Sequence, residues 1–130
     1  MNALIIREPW ISLILSDAKS WEMRSTRCNI RGRIGLIRKG TGMVVGTAEL
    51  TDSLPPLDRD TFSSSRERHR VPPEMDEQVF RDGWIYPWVL KNARPLLRLI
   101  PAGQKPGQVK WVPLSADAIA DIIRQEGEAA

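Results

Sequence analysis

The sequence is poor in the residues that build disulfides and most metal centres. It has one cysteine, Cys28, and one histidine, His69, among 130 residues. A single cysteine excludes an intramolecular disulfide and argues against a cysteine-based zinc site. A Ser-His-Asp triad would have to use His69, which lies in a charged run, residues 66–70, predicted to be a solvated loop without a catalytic role. No metal ion and no cofactor are expected.

Long apolar runs are also missing, and none is long enough to span a bilayer. Residues 1–6 enter a strand pattern directly, without the charged start and cleavage site of a signal peptide. These features and the single cysteine predict a cytoplasmic protein that does not contact membranes. The length suits one domain, residues 1–130, with its own hydrophobic core.

Basic residues cluster along the chain, although the formal net charge is only +3. Residues 24–39 hold six cations and residues 83–116 hold five, and neither segment contains an acid. If the two segments share a face, they form a positive patch for a polyanion. The alternative is that these cations are scattered and solvated.

Short apolar segments separated by glycine and proline turns dominate the rest of the chain. Strands are predicted at residues 3–6, 20–24, 34–37, 43–50, 85–91, 95–100 and 109–112, with Gly46 indicating a bulge or tight bend. Helices are predicted at residues 9–17 and 74–81, and from Ser115 to a point before Gly127. Residues 51–73, rich in proline, serine and charge, are predicted to leave the core as an excursion. This pattern predicts an α+β fold, a small mixed β-barrel, closed or nearly closed, with flanking helices.

A dense group of charges stands on the second predicted strand and just before it. Lys19 precedes the strand, and Glu22 and Arg24 alternate with Trp21 and Met23 along it. That alternation is typical of a half-buried strand, with two charges on one face and two large apolar side chains on the other. The pattern indicates a polar site on a rigid element.

The order of these landmarks resembles the ASCH domain (activating signal cointegrator homology), a branch of the PUA-like barrels. The family pattern G-x-K-x-x-E-x-R is matched by Lys19, Glu22 and Arg24, whereas Asp17 replaces the glycine. Glycine tolerates positive φ more readily than aspartate, so this replacement bears on the turn. Further similarity lies in residues 6–10, 31–34, 44–46, 86–90 and 107–111, so that most of the chain outside residues 51–73 is covered.

The resemblance implies a PUA-like β-barrel with a cleft beside the first helix. It also implies a function connected with RNA, or a coactivator-related function that involves nucleic acid. Some small bacterial relatives are amidohydrolases of acylated cytidine-type nucleosides, and others look like ribonucleases. In the amidohydrolase branch a hydroxyl residue stands where this chain has Glu22. The amidohydrolase mechanism therefore does not transfer directly to this chain.

Two functional hypotheses compete at these residues, and a third, a protein-interaction domain whose basic patch meets an acidic partner, has no motif in its favour. In the first, a basic cleft binds RNA or a nucleotide-like ligand, with Lys19 and Arg24 on phosphates and Glu22 on a base edge. In the second, the protein hydrolyses RNA or an acylated or modified cytidine nucleoside, with Lys19 and Glu22 as catalytic groups. The structural alternatives are a surface lysine and an ion pair that fixes strand geometry. The remaining candidate ligand-binding residues are Arg7, Trp10, Arg38, Lys39 and Trp88.

Overall fold

The structure, a computed structural model, describes residues 1–129, which form six strands and five α-helices. The strands are β1 (Asn2–Ile6), β2 (Trp21–Arg24), β3 (Gly32–Arg38), β4 (Met43–Ser53), β5 (Tyr86–Pro101) and β6 (Trp111–Pro113). The helices are α1 (Trp10–Leu15), α2 (Arg59–Ser64), α3 (Arg66–His69), α4 (Asp76–Asp82) and α5 (Ala116–Ala129), and a 3-10 turn, Pro73–Met75, leads into α4.

All six strands belong to one curled sheet in the order β2-β5-β4-β3-β1-β6. β1 and β3 are parallel, an arrangement that the connection through α1 and β2 makes possible, and the other neighbours are antiparallel. β2 and β6 are the outer strands of this half-barrel. The prediction of an α+β, PUA-like fold with flanking helices is confirmed.

Both faces of the sheet are covered, and β1 shows this in its side-chain alternation. Leu4 and Ile6 enter an apolar cluster that contains Ile11 and Ile14 of α1. Ala3 and Ile5 point the other way, into a cluster that contains Ile122 of α5 and other residues. An uninterrupted apolar strand is therefore what a two-sided core requires.

Most element boundaries differ from the sequence-based prediction by one to three residues, and the largest differences are in β5 and α5. β5 is one strand from Tyr86 to Pro101, instead of two strands around Asn92 and Ala93. Asn92 adopts φ 54, and the pairing with β4 changes register several times, so the strand bends without ending. α5 continues through Gly127 to Ala129, because one glycine near a helix end weakens a helix without stopping it.

Gly46 marks the irregularity that the sequence predicts for β4. The pairing with β3 and with β5 shifts beside this residue. A Cβ at Gly46 would lie 2.6 Å from the carbonyl oxygen of Arg94 and 2.4 Å from Cδ2 of Leu15. Glycine is required here because α1 and β5 both approach the strand closely.

Between β4 and β5 lies a helical insertion, residues 54–85, which holds α2, α3 and α4. Asp58 caps α2 by accepting a hydrogen bond from the Thr61 amide at 2.7 Å. The insertion has its own apolar cluster around Phe62, Val71 and Val79, against which Trp10 of α1 and other residues pack. The insertion therefore stands beside α1 and β2, where the charged pattern was found.

Within residues 1–129, no helix combines the length and the apolarity needed to cross a bilayer.

The turn after α1 uses Asp17 in the conformation that favours glycine. Asp17 has φ 66, and the amides of Ala18 and Lys19 both bond back to the Leu13 carbonyl, at 2.9 and 3.0 Å. This is a left-handed helix end, and it sets the direction in which the chain enters β2.

We expect Asp17→Gly to raise the free energy of unfolding by about 1 kcal/mol, because glycine adopts positive φ without a steric cost. Chemical denaturation measures the change. Ser16→Gly is the matched control, since Ser16 has φ −83 and gains nothing from glycine. An Asp17→Gly variant no more stable than the wild type would show that the left-handed turn carries no strain.

Candidate functional site

A cavity of about 230 Å³ opens between the helical insertion and the sheet, beside α1 and β2. Its charged lining comes from the first 39 residues, and its apolar lining comes from both the sheet side and the insertion. The charged residues are Arg7, Lys19, Glu22, Arg24 and Lys39. The apolar residues are Ile5, Trp10, Met23, Val71, Met75, Val79, Trp84 and Val109.

Lys19 is buried at the base of this site, with only 2% of its surface exposed. Its Nζ donates a hydrogen bond to the His69 carbonyl at 2.6 Å and lies 5.0 Å from the ring centre of Trp10. Burial lowers the pKa of Lys19 from 10.5 to about 8, an effect that nearby Glu22 opposes and Arg24 reinforces. Lys19 is therefore still mostly protonated at physiological pH, but its neutral fraction is much larger than that of an ordinary lysine.

Glu22 and Arg24 form a fixed pair on one face of β2. Arg24 donates from Nη2 and Nε to Oε2 of Glu22, at 3.0 and 3.2 Å, and from Nη2 to the Ile5 carbonyl at 2.9 Å. Its guanidinium also lies 5.5 Å from the ring centre of Trp88. Oε1 of Glu22 accepts no hydrogen bond from residues 1–129, so this oxygen can receive a donor from the cavity.

Arg7 and Lys39 complete the positive lining. Neither forms an ion pair with an acid of the part of the chain that the structure describes. Arg7 lies 5.3 Å from the ring centre of Trp84, so its charge and an aromatic face are presented together. The cavity thus combines unneutralised cations with large aromatic walls.

Six of the eight residues predicted for the site line this cavity, namely Arg7, Trp10, Lys19, Glu22, Arg24 and Lys39. Trp88 does not, because it is 1% exposed, stacks on Trp111 and donates from Nε1 to the Thr26 carbonyl. Arg38 does not either, because it is paired with Glu8 and bonded to Ser12 outside the cavity. Trp88 is thus held in the core by its neighbours, and Arg38 is held outside the cavity by its ion pair with Glu8.

His69 departs furthest from the prediction. The charged run around it indicates a solvated loop, yet the side chain is fully buried. Its Nε2 bonds to the Phe62 carbonyl at 2.7 Å, and its Nδ1 accepts from the Val71 amide at 2.9 Å. An accepting Nδ1 is unprotonated, so the imidazole is the neutral tautomer with the proton on Nε2. The exposed Arg68 and Arg70 on either side make the segment look solvent-exposed in the sequence.

The two basic segments do not meet at the cavity, because no cation of residues 83–116 lines it. Arg33 pairs with Glu126 of α5, and Arg98 pairs with Glu128 of the same helix. Arg31 lies 3.9 Å from Asp52. Most of these arginines are therefore neutralised away from the cavity, and only Arg24 and Lys39 of the first segment reach it.

The insertion contributes lining that motif spacing did not reveal. Val71, Met75, Val79 and Trp84 all come from residues 54–85 and belong to the apolar cluster against which Trp10 packs. Charged residues stand near them in the sequence, so the sequence pattern did not predict that they pack together. In the described residues no group of three or more His, Cys, Asp or Glu side chains is placed to hold a metal ion.

The curled mixed sheet with its cavity beside the first helix defines a protein of the PUA-like class. The sequence model of the ASCH domain matches residues 4–105, and the chain belongs to the ASCH domain family. No curated protein matches the sequence.

Solved structures that resemble the chain are ASCH proteins from Zymomonas mobilis. The crystal structure of ASCH from that organism is 16% identical, with a TM-score of 0.72, covering 95% of this chain and 93% of that one. A tyrosine-to-phenylalanine mutant is 18% identical, with a TM-score of 0.68 and coverage of 95% and 96%. A serine-to-alanine mutant is 19% identical, with a TM-score of 0.67 and coverage of 95% and 94%. At this identity the likeness establishes the fold.

Proposed function

We propose that this ASCH domain binds RNA or a nucleotide-like ligand, with one nucleotide unit inserted into the cavity. The observation that carries the proposal is the combination of five charged side chains, four of them cations, with Trp10 and Trp84 in one opening. Phosphates are bound by cations, and unstacked bases are bound by aromatic faces. At about 230 Å³ the cavity lies below the roughly 300–1,000 Å³ of drug-sized pockets, which suits a single unit of a strand.

Each charged group has a distinct role in this proposal. Arg7 and Lys39, which have no acidic partner in residues 1–129, bind phosphate oxygens. Oε1 of Glu22 accepts an N–H from the edge of a base, while Arg24 holds the other carboxylate oxygen in place. Lys19 supplies a positive charge deep in the cavity, where little water screens it.

A double variant, Arg7→Gln with Lys39→Gln, tests the phosphate contacts. We expect its affinity for a short labelled single-stranded RNA to fall about tenfold at low salt, since two charge-assisted contacts are lost. The slope of log K against log salt should shrink by about 1.4, because each phosphate contact on a single strand contributes about 0.7. Fluorescence anisotropy over a salt series measures both quantities.

The matched control carries the same charge change elsewhere, as Lys91→Gln with Arg124→Gln. Lys91 lies on β5 and Arg124 on α5, and neither lines the cavity. Equal losses in the two double variants would mean that net charge alone attracts RNA, and the proposed site would then be wrong.

The alternative function is hydrolysis of RNA or of an acylated or modified cytidine nucleoside. One observation favours it: Lys19 combines a pKa of about 8 with a place beside Glu22 in the same cavity. A neutral lysine can accept a proton, and a neighbouring carboxylate can orient it. Incubation with acylated cytidines and with RNA, followed by mass analysis of the products, separates the two functions. Turnover that Lys19→Met abolishes supports hydrolysis, and binding without turnover supports the first proposal.

A further inference from the structure

Three hydrogen bonds dock the insertion onto the turn that carries Lys19. They run from Lys19 Nζ to the His69 carbonyl (2.6 Å), from the Ser20 amide to the Arg68 carbonyl (3.0 Å) and from Arg70 Nε to the Ala18 carbonyl (2.8 Å). The first of these is the hydrogen bond that fixes the ammonium of Lys19. The position of that ammonium therefore depends on the backbone at His69.

The His69 side chain holds this backbone in place. Its ring is stacked on Phe62 with 4.0 Å between centroids, and its two nitrogens bond to the Phe62 carbonyl and the Val71 amide. These contacts bridge the end of α2 and the residue that follows the left-handed Arg70, φ 60. The imidazole thus closes a small loop, and the carbonyl that meets Lys19 lies within that loop.

We propose that His69 is a positioning residue for Lys19: its neutral imidazole holds the carbonyl that receives the ammonium, and protonation of the ring releases Lys19 from its place in the cavity. The functional consequence rests on the proposed binding of RNA or a nucleotide-like ligand. The positional claim concerns only His69, Lys19 and the segment between Phe62 and Val71.

Protonation must break the arrangement because an imidazolium has two donors and no acceptor. Nδ1 would then direct an N–H at the Val71 amide, which is itself a donor. Val71 also lines the cavity, so its displacement moves a wall as well as the lysine contact.

Charged groups on three elements face His69. Burial lowers its pKa, as do Lys19 from the turn before β2 and Arg66 from α3, whereas the bond to the Phe62 carbonyl and Asp76 of α4 raise it. Depression of the pKa is the larger effect, so the ring is neutral at physiological pH and the contact to Lys19 is intact. Release is expected only as the pH falls below the ordinary histidine value of 6.5.

NMR can follow the two partners separately in the full-length protein. His69 is the only histidine of 130 residues, so its ring resonance is unambiguous, and Lys19→Met identifies the Lys19 Cε resonance. We expect the Lys19 resonance to shift through the same pH range in which His69 titrates. The affinity for a short oligouridylate, whose bases do not titrate there, should fall about tenfold over that range.

Two substitutions separate the two ring contacts. His69→Asn retains an acceptor for the Val71 amide, so it should keep the Lys19 pKa near 8, and its Lys19 resonance should stay constant through the acid titration. His69→Gln reaches towards the Phe62 carbonyl but leaves the Val71 amide unpaired, and should move the Lys19 pKa towards its ordinary 10.5 as water enters. Asp58→Ala, which removes the α2 cap in the same insertion, controls for general loosening and should leave Lys19 unchanged.

The proposal is overturned if the Lys19 resonance stays constant while His69 titrates, or if His69→Gln keeps the wild-type Lys19 pKa. Acid unfolding that precedes any change at Lys19 also overturns it. If the variants fail to fold, the wild-type titration alone decides. Because the Lys19 measurement needs no ligand, failure to bind RNA would reject the proposed function and leave this test valid.

Discussion

Replacing Phe62 by alanine is expected to destabilise the helical insertion by about 3–5 kcal/mol, the usual cost of removing a buried phenylalanine. Phe62 is fully buried and central to the apolar cluster of the insertion, where it stacks on His69 and meets the edge of Phe80. This cluster is separate from the two clusters of the sheet. The loss should therefore appear first as opening of residues 54–85, with the sheet still folded.

Amide hydrogen exchange measures this opening segment by segment. Leu97→Ala is the control, because Leu97 is 57% exposed on β5 and its truncation should cost under about 0.5 kcal/mol. Protection of the insertion that is unchanged in Phe62→Ala would show that Phe62 does not hold it together. Uniform loss of protection in sheet and insertion would show instead that the two form one cooperative unit.

Lys19→Met is expected to stabilise the fold and to weaken RNA binding at least about tenfold. The buried ammonium has its pKa lowered from 10.5 to about 8, which corresponds to a destabilisation of roughly 3 kcal/mol at neutral pH. Methionine fills similar space without a charge, but it leaves the His69 carbonyl unpaired. We therefore expect a net gain of about 1–2 kcal/mol in the free energy of unfolding.

The free energy of unfolding of the wild type should also depend on pH in a way that identifies Lys19. Between about pH 8 and 10.5 the unfolded chain binds the Lys19 proton and the folded chain does not. The stability of the wild type should rise with pH across this window, because the unfolded state holds more protons there. The same stability is lost as the pH falls from 10.5 to 8, and below 8 both states bind the proton, so the dependence on Lys19 ends there. Lys19→Met should lack this dependence.

Urea denaturation at several pH values measures these differences. Lys39→Met is the matched control, since it makes the same chemical change at an exposed cavity residue and should bring no comparable stabilisation. A Lys19→Met variant that is less stable than the wild type would mean that the hydrogen bond to His69 outweighs the cost of burial. Unaltered RNA affinity would remove Lys19 from the proposed site.

The part of the site that the sequence predicted is the part in which neighbours along the chain are neighbours in space. Lys19, Glu22 and Arg24 lie within six residues, and the period of a strand is enough to place Glu22 and Arg24 on one face. α1 and its left-handed end deliver Lys19 beside them. Short-range geometry was sufficient to bring these three residues together, although a distant carbonyl, that of His69, then fixes the Lys19 ammonium.

Single side chains lie away from their predicted places where a distant partner decides the position. Trp88 was expected at the cleft, yet stacking on Trp111 keeps it in the core. Arg38 was expected to face a ligand, but Glu8 binds it. His69 was assigned to solvent from its charged neighbours, whereas Phe62 and Val71 bury it. Composition around a residue does not reveal contacts made across the fold.

The sequence by itself determined the class of fold, the strand that carries Glu22 and Arg24, and the membership of Lys19 in the same motif. The class of fold and the strand follow from periodicity and turn residues, which act over a few positions, whereas the place of Lys19 in the motif follows from the resemblance to the family pattern. Only the tertiary structure decided that residues 54–85 close one side of the cavity and that the His69 carbonyl meets Lys19. The physical reason is that burial and long-range hydrogen bonding depend on which surfaces meet, and no local pattern specifies that for a charged, irregular insertion.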